Sequence, residues 1–255
     1  MRYLRTALFY LMLLVSTVVM GLCAIGIVLL TRRSDWAHLC GRIWGNLNLW
    51  AAGVRVDVMG LERLKPYRPA VYAANHQSWF DIFTILGKLP VQFRWLAKEE
   101  LFRIPLFGHA MRMIGYIPID RADRKKAFES LEEASRRVRE GTSIVIFPEG
   151  TRSRDGVIQP FKKGGIILAI KSGQPIVPVG LSGSHAILPK GGWLVRPGRI
   201  RMTIGDPIET AGFTMEDRDE VIFLVREAIR KYLTVREGGV LEAESTDTEV
   251  RSAAS

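Results

Sequence analysis

Residues 7–30 run for 24 positions without one charged side chain. No other feature of the sequence limits the fold as strongly. As a helix rising about 1.5 Å per residue, the run extends about 36 Å, enough to cross a hydrocarbon layer of about 30 Å. Arg2 and Arg5 precede it, and Arg32 and Arg33 follow. A secretory signal has a shorter apolar stretch, about 7–15 residues, with small residues at its end. Here a pair of arginines stands where those small residues belong. A lipoprotein signal at Cys23 fits no better, because Leu22 occupies a place that calls for a small side chain. The run therefore reads as a retained membrane anchor. The flanking arginines are nearly symmetric, so the positive-inside rule assigns no orientation.

A second apolar element follows. Trp36, Leu39, Cys40, Ile43, Trp44, Leu47, Trp50, Ala51 and Val54 fall on one helical stripe. His38, Arg42, Asn46 and Asn48 lie opposite. Three tryptophans with few charges suit a membrane interface. A helix packed on a soluble core would show the same stripe, and the sequence leaves both readings open. Together the two segments predict a membrane-associated helical hairpin over residues 1–55.

The rest has the composition of one globular domain. Of 255 residues, 47% are apolar and 24% charged, too apolar for disorder and too charged for a polytopic membrane protein. Cys23 and Cys40 are the only cysteines, which excludes a disulfide framework and a four-thiolate zinc site. The formal charge is +10. Residues 237–255 hold five acids against one base, so residues 1–236 carry +14. Such a body seeks polyanions: nucleic acid, anionic lipid or phosphorylated small molecules. The acidic end, rich in Ser, Thr and Ala, reads as a disordered tail.

Between these ends, strands are expected at 69–75, 92–97, 143–147, 176–181 and 199–204. Helices are expected at 79–88, 125–140, 164–172 and 217–233. The alternation predicts an α/β domain over residues 56–236, with a largely parallel sheet flanked by helices.

The common nucleotide, zinc-protease and serine-hydrolase signatures are absent. Neither cysteine has the surroundings of an activated thiolate. A general base acting on a substrate hydroxyl remains. His76 and Asp81 supply one after the strand at 69–75, where open α/β sheets place their sites. Imidazole accepts a proton near neutrality, and a carboxylate can hold its second nitrogen. Residues five apart on a continuous helix lie about 140° round the axis and cannot meet. His76 must therefore sit in a loop, with the helix beginning near Ser78. The competing reading makes Ser78 and Asp81 a capping box with no chemistry.

The segment 147–153, Phe-Pro-Glu-Gly-Thr-Arg-Ser, also follows a strand. Gly150 permits close backbone approach, Thr151 offers a hydroxyl, and Arg152 offers a planar fork for phosphate. The alternative is a solvated basic loop. Arg121 closes an apolar run at 115–121. It reads either as a second phosphate ligand or as the partner of Asp120 or Asp123.

Taken together these segments resemble the glycerolipid acyltransferases, and among them the bacterial 1-acyl-glycerol-3-phosphate (lysophosphatidate) acyltransferases. That family has four ordered blocks. The first, His-x4-Asp, is similar to His76–Asp81. The second ends in an arginine, as 115–121 does here. The third matches 147–153 letter for letter. The fourth, an apolar strand with a proline, is similar to 176–180. The resemblance covers residues 36–208.

The resemblance implies transfer of a fatty acyl group from acyl-CoA or acyl carrier protein to the sn-2 hydroxyl of lysophosphatidate, giving phosphatidic acid for phospholipid synthesis. By position, His76 is the general base and Asp81 its partner. Arg121 and Arg152 bind the acceptor phosphate, Glu149, Gly150 and Thr151 shape the acceptor site, and Lys98 is a further phosphate candidate. Neither a metal nor a resident cofactor is expected, and no nucleic acid. The expected location is the inner (cytoplasmic) membrane, with the catalytic domain on the side where acyl thioesters are made. Two alternatives stay open: another acceptor, such as glycerol-3-phosphate or a different lysolipid, or a catalytically silent phospholipid-binding protein.

Overall fold

The computed structural model describes residues 2–64 and 68–241. Strands β1 (Val54–Met59), β2 (Val71–Ala74), β3 (Phe93–Lys98), β4 (Ile117–Ile119), β5 (Ser143–Ile146), β6 (Ile176–Ser182) and β7 (Gly198–Ile204) form one sheet. Their order is β1-β7-β6-β2-β5-β3-β4. Among the described strands only β6 and β7 pair antiparallel; every other neighbour is parallel. The helices are α1 (Arg2–Thr31), α2 (Ser34–Ala52), α3 (Phe80–Lys88), α4 (Phe107–Ile114), α5 (Arg124–Arg139), α6 (Lys163–Ser172), α7 (Ser184–Ile187) and α8 (Arg218–Arg230).

The central strands β2 and β5 are buried on both faces, as parallel strands covered by helices are. Val71 and Ala73 of β2 face a core closed by Leu131 and Val138 of α5, Ile166 and Ala169 of α6, and Val221 and Val225 of α8. Tyr72 and Ala74 face the opposite core, with Phe80 and Phe83 of α3, Met111 of α4, Leu49 of α2 and Phe9 of α1. Strand periodicity of two distributes adjacent residues between the layers. Helix α5 starts on Asp123, whose carboxylate accepts from the Lys125 and Lys126 amides, and its last turn carries three arginines. Both features match the helix dipole.

The expected elements are all present. The sequence pattern does not mark β1, β4, α4 and α7. β4, α4 and α7 are too short to show a period, and β1 is an edge strand carrying Arg55 and Asp57.

The helical pair presents an apolar outer face. In α1 the buried residues are Thr6, Phe9, Ser16, Gly21 and Ala24, while Leu4, Leu8, Leu11, Leu14, Val18 and Leu22 are exposed. In α2, Trp36, Leu39, Ile43 and Trp50 are exposed, and His38 and Asn48 are fully buried. The Asn48 amide donates to Ser16 Oγ at 3.2 Å, joining the two helices. The indole N–H of Trp44 donates to Thr17 Oγ1 at 3.0 Å. Apolar side chains such as Phe9 and Leu49 pack on the core, a few polar ones pair between the helices, and the outer face is apolar too, where a helix on a water-soluble core would be polar. The core-facing reading of the tryptophan stripe holds for Cys40 and Ala51, which are buried, and Trp44, which packs against the core.

Packing continues beyond Arg236. Glu237 is buried and accepts from Ser182 Oγ at 2.6 Å and the Gly183 amide at 2.8 Å. The expected acidic tail begins inside this hook, and residues 242–255 lie outside those described.

Candidate active site

Four adjacent parallel strands, β2, β5, β3 and β4, end on one edge of the sheet. His76 follows β2, residues 147–153 follow β5, Lys98 ends β3, and Arg121 follows β4. Candidates scattered over 77 positions of sequence therefore meet at the strand ends, as ligand sites of open α/β sheets do.

His76 lies in the loop before α3, as its spacing to Asp81 demanded. Its Nδ1 is 2.9 Å from Asp81 Oδ2. The same oxygen accepts from the amides of Gln77 at 2.6 Å and Ser78 at 2.8 Å. Asp81 is fully buried, while 12% of the His76 side chain is exposed. A carboxylate can only accept, so Nδ1 carries the proton and Nε2 presents a lone pair. Among the described residues no hydrogen bond engages Nε2. Part of a capping arrangement is also present: the Ser78 amide donates to Asp81, and the Ser78 hydroxyl accepts from the Phe80 amide at 3.3 Å while donating to the Leu188 carbonyl at 2.8 Å. One carboxylate serves both the helix start and the imidazole, so the two sequence readings are compatible.

The ring is fixed from behind. Phe147 stacks on it with centroids 3.9 Å apart and planes at 10°, and Trp95 stacks on Phe147 at 5.2 Å. The His76 amide donates to Glu149 Oε1 at 2.6 Å, and its carbonyl accepts from the Ser153 amide at 2.9 Å. Glu149 Oε2 accepts from the Gln159 amide at 2.9 Å. Glu149 thus binds the two strand-end loops together; it is buried and outside the lining of the cavity described below. Burial pushes its pKa up to about 7, against the pull of the His76 and Gln159 amides.

Arg121 donates to the Gly150 carbonyl. The ion pairs expected as its alternative go instead to Lys126, which lies near both Asp120 and Asp123. Arg152 lies over Trp79, its guanidinium carbon 5.4 Å from the ring centroid. Burial lowers the pKa of both arginines; Glu100 opposes this at Arg121 and Asp81 at Arg152. Gly150 has φ of +75°, and a Cβ there would sit 3.0 Å from the Lys162 stem. Lys98 pairs with Glu100 at 2.8 Å. Lys190, unmarked in the sequence, donates to Thr151 Oγ1 at 3.0 Å and to the Arg152 carbonyl at 2.9 Å.

His76, Lys98, Arg121, Gly150, Thr151 and Arg152 line one cavity of about 580 Å³, within the range of small-molecule sites. Its remaining wall is apolar, made by Leu13, Met20 and Ala24 of α1, Trp44 of α2, Phe83 and Leu86 of α3, and Phe107 and Met111 of α4. The polar groups of the strand-end loops thus share one chamber with the apolar side chains of both N-terminal helices. Phe147 shared a segment with the marked residues, but nothing in its spacing disclosed that it would stack on His76.

Fold and site define an α/β protein in which a His–Asp pair and two arginines meet an apolar chamber beside an outward-facing apolar hairpin. Residues 55–182 match the acyltransferase family, and the chain belongs to that family. It is 34% identical over 215 residues to the 1-acyl-sn-glycerol-3-phosphate acyltransferase of Pseudomonas aeruginosa, covering 82% of each chain. It is 37% identical over 178 residues to the chloroplastic enzyme of that name from Brassica napus, covering 69% of this chain and 51% of that one. The chain thus spans about half the length of the plant relative. The crystal structure of the 1-acyl-sn-glycerophosphate acyltransferase PlsC from Thermotoga maritima superposes with a TM-score of 0.77 at 32% identity, over 89% of this chain and 92% of that one.

Proposed function

We propose that this protein transfers a fatty acyl group from acyl-CoA or acyl carrier protein to the free sn-2 hydroxyl of 1-acyl-glycerol-3-phosphate, giving phosphatidic acid. The observation that carries the reading is that His76, Arg121 and Arg152 line one largely apolar cavity. His76 Nε2 takes the proton from the acceptor hydroxyl as its oxygen attacks the thioester carbonyl. The carbon–sulfur bond then breaks, and the departing thiolate recovers the proton from the imidazolium. Asp81 stabilises the charged ring and keeps the other nitrogen protonated. Arg121 and Arg152 hold the acceptor phosphate, with Lys98 nearby, and the chamber takes an acyl chain. Gly150 and Thr151 shape the wall beside the phosphate, and Glu149 supports them from behind.

Residues 1–55 form the membrane-associated part and residues 56–236 the catalytic domain. The outward apolar faces of α1 and α2 support attachment to a membrane; the proposed location, the inner (cytoplasmic) membrane with the site on the cytoplasmic side, follows from where acyl thioesters are made. Helix α1 packs on the domain from Thr6, which bonds the Val195 amide at 3.1 Å, to Gly21 beside Leu106. That packing suits a helix bedded in the membrane together with the domain, within reach of an amphiphilic acceptor. The test is acyl transfer from a labelled thioester to lysophosphatidate by purified protein. Product that disappears in His76→Ala supports the reading; equal product from the variant contradicts it.

A further inference from the structure

Residues 188–195 form a strap between α7 and β7 that touches three functional parts. At one end the Leu188 carbonyl accepts from Ser78, next to the His76–Asp81 pair. In the middle, the Lys190 ammonium donates to Thr151 Oγ1 at 3.0 Å and the Arg152 carbonyl at 2.9 Å. At the other end the Trp193 carbonyl accepts from the Tyr10 hydroxyl at 2.9 Å, and the Val195 amide donates to Thr6 Oγ1 at 3.1 Å. The strap therefore ties the membrane helix α1 to the loop that presents Arg152.

That loop needs the tie. Residues 151–153 belong to no helix or strand. Gly150 is fixed through its carbonyl by Arg121, and Ser153 through its amide by His76. Between them the Arg152 backbone is held at its carbonyl by Lys190. No carboxylate lies within ion-pair distance of Lys190 among the described residues. An ammonium has three donors, and the protein uses two of them.

We propose that Lys190 is a positioning residue for acceptor recognition. It fixes the Thr151–Arg152 backbone so that the Arg152 guanidinium, lying over Trp79, meets the phosphate of the acceptor. Its own unneutralised charge reinforces the same field. The proposal rests on the acceptor reading above and adds to it a residue outside the four sequence blocks.

The test uses the full chain in detergent micelles, with Lys190→Met and Lys190→Arg beside the wild type. KM is measured for lysophosphatidate and for the thioester, together with kcat, the melting temperature and the activity on a phosphate-free monoacylglycerol. In Lys190→Met the lysophosphatidate KM rises about tenfold, in keeping with loss of a charged hydrogen-bonding group. Thioester KM and melting temperature stay at wild-type values, kcat falls less than threefold, and preference for the phosphate-bearing acceptor shrinks. Lys190→Arg recovers part of the loss. A lysophosphatidate KM within twofold of wild type overturns the proposal. So does an equal loss on both acceptors with a lower melting temperature, which marks a plain structural brace. A wild type that forms no product from lysophosphatidate overturns the acceptor reading itself, and the role of Lys190 falls with it.

Discussion

The imidazole of His76 is held at three points: a carboxylate on Nδ1, an aromatic ring on one face, and a backbone bonded to Glu149 and Ser153. Such restraint is what a general base needs, since misplacement costs rate before it costs stability. Replacing His76 by Ala is expected to lower kcat by about 10²–10⁴-fold, with the melting temperature unchanged; a parallel loss of folded protein would assign the loop a capping role alone. Arg152→Ala is expected to raise the acceptor KM more than it lowers kcat, with partial rescue by Lys, which lacks the planar fork. Steady-state kinetics against each substrate separates the two effects. Glu149 makes a pH prediction. Its raised pKa, about 7, means that above the ordinary carboxylate range the folded chain still holds a proton the unfolded chain has released. Its contribution to stability is therefore present at low pH and lost as pH rises through about 7. Melting temperatures at pH 5 and pH 8 should fall more steeply in the wild type than in Glu149→Gln; equal slopes would remove the assignment. At this scale the H-x4-D spacing made the His–Asp pair legible. The support by Glu149 and Lys190 was not, because contacts spanning 73 and 39 positions leave no local pattern.

Helices and strands were legible where they are long and periodic. The apolar run gave α1 its length, and β-branched runs gave the central strands. The direction of β7, antiparallel to β6 on one side and parallel to β1 on the other, had no sequence signal, since the alternation of side chains along a strand is the same whichever way it runs. The outward turn of the tryptophan stripe was likewise undecided, because an apolar stripe does not disclose what covers it. Its counterpart is visible in α2 at Gly45, where a Cβ would lie 2.7 Å from the Phe83 carbonyl and 2.9 Å from the Gly87 amide. This close approach seats α2 on α3, the helix that carries Asp81. Gly45→Val is therefore expected to push the helices apart, with a destabilisation of about 1–3 kcal/mol and reduced kcat. Thermal unfolding of Gly45→Val with the wild type alongside checks this, and an unshifted transition would mean that α2 is free to move.

At the scale of the whole molecule, the hairpin and the catalytic domain are one structure. Both N-terminal helices wall the chamber, so removing them would open it. Substituting Ser for Trp36, Ile43 and Trp50 together, all exposed, should reduce sedimentation with anionic vesicles while leaving the chamber intact. Unchanged sedimentation would assign membrane attachment to α1 alone. A basic body, an apolar chamber and a His–Asp pair whose imidazole lines it suit the anionic amphiphile proposed as acceptor. The most direct measurement offers the purified protein one labelled acyl thioester with lysophosphatidate, glycerol-3-phosphate and a phosphate-free lysolipid in competition. Product from lysophosphatidate in large excess over the other two is the predicted result. Product chiefly from the phosphate-free lysolipid would contradict the account, since Arg121 and Arg152 would then have no anion to bind.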